Sequence, residues 1–374
     1  MRISRASALV PLFLLAGCQP ADSPGGDAGP PPGSDFEGTA FEFEEVVPGV
    51  YHARGTGALS VGSHGAVIVN EDDVLLVESH ISPAAAYAVV EEIEALTGKP
   101  VRYVVNTHYH FDHAHGNQIY PDDVHVIGHE VTREMLESGA SLGRSYELFV
   151  GRLPDQIAVM EGRIEGLQRA VDEAEDEAAR AEAAELLAAF ESRLAYTRNY
   201  AAGQDALVPK GPNTTLSQRM TLFRGDREIR ILFFGRGHTG GDVVVHLPQE
   251  RVIVTGDLLL PGLPYMGDGY LAEWVESLEH VKALDFDWVL PGHGDPFQGK
   301  ERITYQQDYM RDLQARAAGF HAQGMSYEEA AAQIDMTDHA EHYPQIRFPG
   351  VPAVAVQRVF ELLDDSLPST PPTM

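Results

Sequence analysis

The heptapeptide Thr107-His108-Tyr109-His110-Phe111-Asp112-His113 constrains this chain more than any other stretch, because it crowds three imidazoles and a carboxylate directly behind the apolar run Val101 to Val105. Burying a polar group without a partner costs roughly 2–7 kcal/mol, so such a cluster is expected where a cation draws its members together. If Val101 to Thr107 is a strand leaving a sheet, side-chain alternation sends His108 and His110 to one side, and the turn that follows aims Asp112 and His113 at a second point nearby. One stretch then feeds two metal ions. A His-rich surface loop is the plain alternative, and it loses ground because isolated His and Asp residues recur later in loops of the right kind.

Those later residues sit in a repeating context. Upstream of the heptapeptide, Val46 to Ala53, Ala66 to Asn70 and Val74 to Val77 read as short strands, and Ala84 to Thr97 as an amphipathic helix stopped at Gly98. Asp123 to Gly128 and Glu130 to Glu137 add another strand and helix. From about Leu153 to Gly203 the rhythm changes. Ile157, Met160, Ile164, Leu167, Val171 and Ala174 recur by three and four among charged residues, which predicts a helical hairpin or one extended arm able to wall a substrate cleft. Strands resume at Thr221 to Arg224, Glu228 to Phe234, Asp242 to Leu247, Arg251 to Thr255 and Trp288 to Leu290, with a helix around Glu273 to Leu284. His238 lies in the glycine-rich loop 235–242, Asp257 follows Gly256, and His293 stands between Gly292 and Gly294. Each follows a strand, the placement that α/β proteins use for their chemistry.

The two halves, Glu42 to Glu137 and Leu216 to Gly294, predict an α/β chain built as a two-sheet sandwich with helices outside. Helices at Glu301 to His321, Tyr327 to Ile334 and Pro352 to Leu363 carry no recognisable chemistry, and His321, His339 and His342 read as surface or structural residues. The segment Leu258 to Leu271, with Pro264, Tyr265, Met266 and Tyr270, is the candidate substrate loop. Its apolar, aromatic character favours a small organic molecule over a polyanion; the alternative is that it packs against the helix of Trp274.

Composition narrows the partners. Lys and Arg number 27 against 56 Asp and Glu, a formal charge of -29, which repels phosphate backbones and argues against nucleic acid. Arg2 and Arg5, the apolar Ala6 to Leu15 and the small residues before Cys18 form a leader of residues 1–18 that resembles a bacterial lipoprotein signal with its lipobox. Lipid on Cys18 would then be the only link to a membrane, and Gln19 after it favours the outer membrane, on the periplasmic side. An ordinary secretory signal is the rival reading. Residues 19–39, rich in Pro, Gly, Ser and Asp, read as a flexible tether. The expected division continues with a catalytic domain at 40–300, interrupted by the helical insertion 151–204, and a helical extension at 301–374. Cys18 is the sole cysteine, so no thiolate is available to ligate metal in the domain.

Taken in order, His108-x-His110-x-Asp112-His113, Gly-His238-Thr, Gly-Asp257 and Gly-His293-Gly resemble the five-motif signature of the metallo-β-lactamase fold hydrolases. The resemblance implies an αββα sandwich with two zinc ions at one edge, iron or manganese being able to occupy similar sites. It implies that His108, His110 and His238 hold the first ion, that Asp112, His113 and His293 hold the second, and that Asp257 bridges them. A shared hydroxide would attack the substrate, with Asp112 orienting it or handling its proton. Asp257 stands where the best-known β-lactamase subclass has Cys, a substitution more typical of glyoxalase-like and lactonase-like relatives. Glu78-Ser79-His80 replaces a frequent Asp-Thr-Gly, leaving Glu78 as a carboxylate behind the ligands and His80 as an unexpected neighbour. The expected activity is hydrolysis of a small ester, lactone or β-lactam at the cell envelope. The alternatives are a one-iron persulfide dioxygenase, a glyoxalase-like thioester hydrolase and a non-catalytic envelope binding module.

Overall fold

The computed structural model describes residues 29–365; Cys18, its leader and the tether as far as residue 28 lie outside them. The chain opens with β1 (Phe41–Val47) and β2 (Val50–Gly55). The single strand expected from Val46 to Ala53 is thus a hairpin, because Pro48-Gly49 turns the chain there with Gly49 at φ 75°. Next come β3 (Gly65–Val69), β4 (Val74–Val77), α1 (Pro83–Thr97), β5 (Val101–Val105), the single turn α2 (Phe111–Ala114), β6 (His125–His129) and α3 (Glu130–Glu137). Helix α1 starts where Ser82 accepts from the Ala85 amide ahead of Pro83, and stops at Gly98 with φ 66°.

Helix α4 (Arg144–Phe149) leads into a helical hairpin, α5 (Leu153–Asp172) and α6 (Glu177–Asp205), whose arms meet through Met160, Leu167 and Leu194 and an Arg198 to Glu161 ion pair. The hairpin, rather than one extended arm, is what the three-and-four spacing forms. A strand that the sequence reading lacked follows it: β7 (Thr214–Leu216) pairs in parallel with β6, placing Leu216 opposite His129. Leu216 therefore closes the first sheet instead of opening the second half.

The second half holds β8 (Arg219–Arg224), β9 (Arg227–Phe233), β10 (Val243–Leu247), β11 (Val252–Gly256), α7 (Leu271–Lys282), β12 (Trp288–Pro291) and β13 (Phe297–Gln298). Three helices end it, α8 (Glu301–His321), α9 (Tyr327–Gln333) and α10 (Ala353–Leu363). The first sheet runs β1 to β7 in sequence order and the second β13-β12-β11-β10-β9-β8.

The two-residue period of the strands decides which face each side chain serves. Leu75 and Val77 point between the sheets, where they meet Ile231, Val245 and Val254. Val74 and Leu76 point outward onto Ala85, Val89 and Ile93 of α1. Across the sandwich, Ile253 and Val289 point outward onto Trp274, Met310, Leu313 and Val356. The result is an αββα sandwich in which the helices after residue 300 share the outer core of the second sheet. No helix among the described residues is long and apolar enough to cross a membrane.

Candidate metal centre

The strand ends β5, β11 and β12 and the loop between β9 and β10 meet at one edge of the sandwich. They deliver His108, His110, Asp112 and His113, then Asp257, His293 and His238. One ring nitrogen from each of His108, His110 and His238 lies within 4.8 Å of the others, and one ligand atom from each of Asp112, His113 and His293 converges in the same way. Asp257 stands between the two sets. Its Oδ1 lies 3.4 Å from His113 Nε2, and its Oδ2 lies 3.6 Å from His238 Nε2 and 3.5 Å from His293 Nε2. A third convergence, Glu78 with His108 and His113, lies beneath.

The loop geometry has local causes. Thr107 donates to Glu78 through its hydroxyl and its amide, the latter at 3.2 Å. The same hydroxyl oxygen lies 3.0 Å from His108 Nδ1. With its proton committed to Glu78, Thr107 Oγ1 can only accept from His108, which puts the ring proton on Nδ1 and leaves Nε2 as a bare lone pair. That Nε2 is buried and has no hydrogen-bond partner. His110 Nε2 lies 3.1 Å from Asp268 Oδ2, and its Nδ1 lies 2.9 Å from His238 Nε2. Asp242 ties the His238 loop by accepting from the amide and hydroxyl of Thr239, and burial, outweighing those bonds, pushes its carboxyl up to about 6.

Charge follows burial and neighbours. Burial, then the adjacent imidazoles, holds His108 and His238 well below the ordinary histidine value, so both rings are neutral and could donate to a metal. Burial works against a charged His113 as well, but Asp112, Asp257 and Glu78 outweigh it and hold that ring at about 10. Glu78 is fully buried, and desolvation raises its carboxyl despite His113 and Thr107.

These residues fit a divalent metal. The donors are imidazoles and carboxylates, the set that suits zinc, iron or manganese. His108 Nε2 is buried without a hydrogen-bond partner, a costly state for a polar atom, and His113 Nε2 and Asp257 Oδ1, buried and likewise without a hydrogen bond, face each other at 3.4 Å. The space between them is kept open: a Cβ on Gly292 would lie 2.4 Å from Asp257 Oδ1 and 2.7 Å from His113 Cε1.

Beside the centre lies a cavity of about 430 Å³ lined by His110, Asp112, Asp257 and His293 on one side and by Ile81, Phe111, Leu260 and Leu263 among others on the apolar side. Ser145 and Phe149 of α4, just before the insertion, and Tyr200 of α6 also line it, so the inserted segment reaches the cleft through Tyr200. The three candidate substrate-loop residues part company. Tyr265 lines the cavity, 5.8 Å from the His110 ring. Met266 is 3% exposed and packs into the core of the second half, because the loop folds back onto α7 as the packing alternative anticipates. Tyr270 lies between the guanidinium groups of Arg236 and Arg358 and is absent from the cavity wall. His80 is also apart from the cavity: its Nδ1 lies 3.2 Å from the Ser63 carbonyl and its ring packs on Phe41. Glu78 and His80 both take positive φ, 77° and 65°, a strained turn between β4 and α1 that carries the Glu78 carboxylate to Thr107 and His113.

Sequence reasoning overlooked Asp268 and Arg358. Arg358 on α10 donates to the carbonyls of Gly269 at 2.7 Å and Asp268 at 3.2 Å, fixing the loop whose carboxylate faces His110. Burial, the largest single influence, would raise the Asp268 carboxyl, but its bond to His110 together with the charges of His110, Arg144 and Arg358 outweighs that and keeps it low. An acid flanked by Gly267 and Gly269 in the candidate substrate loop was the available signal.

The Metallo-beta-lactamase superfamily profile matches residues 59–293, and the chain belongs to that superfamily. It is similar to the metallo-beta-lactamase type 2 of Elizabethkingia meningoseptica, 28% identical over 98 residues, which are 25% of this chain and 39% of that protein. It is also similar to a linear primary-alkylsulfatase of Pseudomonas sp., 20% identical over 312 residues, covering 78% of this chain and 53% of that protein. A solved stereoselective inverting sec-alkylsulfatase from Pseudomonas sp. shares the fold at a TM-score of 0.60 and 16% identity, over 86% of this chain and 50% of that one. The chain spans between 39% and 53% of the length of these two curated relatives.

Glu78→Gln should lower metal affinity by about 10–100-fold, as removal of a carboxylate behind a ligating histidine does. Metal titration of the purified variant checks this, and an affinity equal to wild type would remove Glu78 from the centre.

Proposed function

We propose that the protein is a hydrolase of its superfamily that holds two divalent ions, zinc foremost, and cleaves a small neutral ester or lactone, with a β-lactam as the amide counterpart. The observation that carries this reading is the pairing of two ligand sets, joined at Asp257, with a cavity whose lining is largely apolar and includes no Lys or Arg among the described residues. Bound there, the ions would supply Lewis-acid polarisation and a water acidified to a pKa of ~7.

The chain's own residues supply the rest. Asp112 faces the cavity with its Oδ2 3.0 Å from His293 Nε2, and it would accept a hydrogen bond from the attacking water and so orient it. Asp268 and Thr107 fix the ring orientations of His110 and His108. Phe111, Phe149, Tyr200 and Tyr265 exclude bulk water and receive the apolar part of the substrate. An anionic group on the substrate would find no cationic side chain in the lining, which favours neutral esters and lactones over sulfate esters and over β-lactams that bear a carboxylate.

Sulfate-ester hydrolysis is a second reading, favoured by the 78% of this chain that aligns with the linear primary-alkylsulfatase. The leader and Cys18 support a place at the cell envelope, lipid-anchored and facing the periplasm. A panel of p-nitrophenyl butyrate, a γ-lactone, a chromogenic cephalosporin, an alkyl sulfate and a glutathione thioester, each with and without a chelator, tests these readings. Ester or lactone turnover abolished by chelation is the expected result. Turnover of the alkyl sulfate alone would transfer the assignment to the second reading, and turnover indifferent to chelation would end both.

A further inference from the structure

The apolar space beside the metal centre does not end at Tyr265. A second cavity of about 680 Å³ adjoins the first, and Phe149, Leu263 and Tyr265 line both. The rings of Phe149 and Tyr265 lie 6.1 Å apart. Phe149 is 53% exposed, so the partition can be passed at its solvent edge. Glycine at 267 permits this placement, since a Cβ there would lie 2.2 Å from the Tyr265 hydroxyl oxygen and 2.6 Å from Val354 Cγ2.

The second cavity is built largely from the segment before α10. Tyr309, Met336, Ile346, Val351 and Val354 line it, and Arg347 is its one charged lining residue. Leu148 and Phe348 stand in the same lining at 37% and 77% exposure. Large apolar side chains left in water around one opening mark an interaction surface or a ligand groove, and the continuity of this opening with the cavity at the metal centre favours the groove. Charge argues for the class of ligand, because a lining with one cation offers little to a polyanion, while its many apolar side chains suit a hydrocarbon.

We propose that this second cavity is the subsite for an unbranched apolar chain of the substrate, the acyl or alkyl tail of an ester whose reacting bond lies on the metal side of Tyr265. The proposal rests on the hydrolase reading above for the word substrate, but the apolar-chain site itself can be tested apart from turnover. Straight-chain alcohols are neutral and cannot be hydrolysed, so their binding to the metal-loaded full chain reports the site alone. A methylene leaving water strengthens binding about fourfold. Calorimetry should therefore find decanol bound at least about a hundredfold more tightly than butanol, allowing for incomplete burial.

Gln345→Trp and Ile346→Trp place an indole in the second cavity and leave the metal ligands untouched. Both should cut the advantage of decanol to within about tenfold while metal content and butanol binding stay at wild-type levels. Because Ile346 is partly packed and Gln345 is exposed, the Gln345 variant keeps the test alive if the other misfolds. Equal affinity of the wild type for the two alcohols, or a decanol advantage that survives in the folded variants, would overturn the proposal. Decanol binding that responds to the variants in a protein that cleaves neither p-nitrophenyl decanoate nor any substrate of the panel above would leave the apolar-chain site standing and end the hydrolase reading.

Discussion

Asp257→Ala is expected to lower kcat/KM by at least about a thousandfold, because Lewis-acid stabilisation at a metal centre is worth several kcal/mol and Asp257 is the carboxylate that reaches both ligand sets. Its two oxygens lie within 3.6 Å of ring nitrogens of His113, His238 and His293. Without it His113 loses one of the carboxylates that offset its burial, and the two proposed metal positions would lose their common ligand. The effect should appear both in steady-state kinetics and in metal content, with less than the wild-type complement retained. A variant keeping more than a tenth of wild-type kcat/KM would contradict the bridging role.

Trp274→Ala carries the largest expected effect on stability. The indole is fully buried in the core shared by α7, α8 and the second sheet, its Nε1 donates to the Leu258 carbonyl at 2.8 Å, and its ring lies 5.3 Å from that of His238. Truncating such a side chain costs about 3–5 kcal/mol, and at roughly 2–4 °C per kcal/mol for a large domain Tm should fall by about 10 °C. Trp274→Phe should cost less, since most of the packing remains and Gln306 Nε2 still donates to Leu258 at 3.0 Å. Because Leu258 follows Asp257 directly and Gly237 approaches the indole, the alanine variant should lose activity below its Tm as well. Thermal melts and assays of the two variants side by side check the ordering. An alanine variant melting within 2–3 °C of wild type would show that the core repacks around the gap.

The parts of this molecule that were legible in the sequence are those whose signal is local. The heptapeptide announced itself through density and strand alternation, and the glycine-flanked His238, Asp257 and His293 through their position after apolar runs. Helices α3 and α8 matched their periodic segments residue for residue. The illegible parts are relations between distant segments. Nothing in Arg358 by itself says that it will hold the carbonyls of Gly269 and Asp268, some 90 residues earlier in the chain. Nor does the composition of α4 and of the inserted helices after it say that Ser145, Phe149 and Tyr200 are the residues that turn to the cleft. β7 is three residues long and carries too few positions for a two-residue period to show. Met266 and Tyr270 share the composition of Tyr265, and only the path of the loop over α7 separates the residue that faces the metal centre from the two that do not.

The proposed dinuclear centre is assembled from seven side chains. The most direct measurement is the divalent metal content of the folded full chain by elemental mass spectrometry after metal loading and removal of excess. Two ions per chain, falling in Asp257→Ala, is the predicted result. A folded, fully loaded protein that holds one ion or none would contradict the dinuclear centre and with it the proposed chemistry.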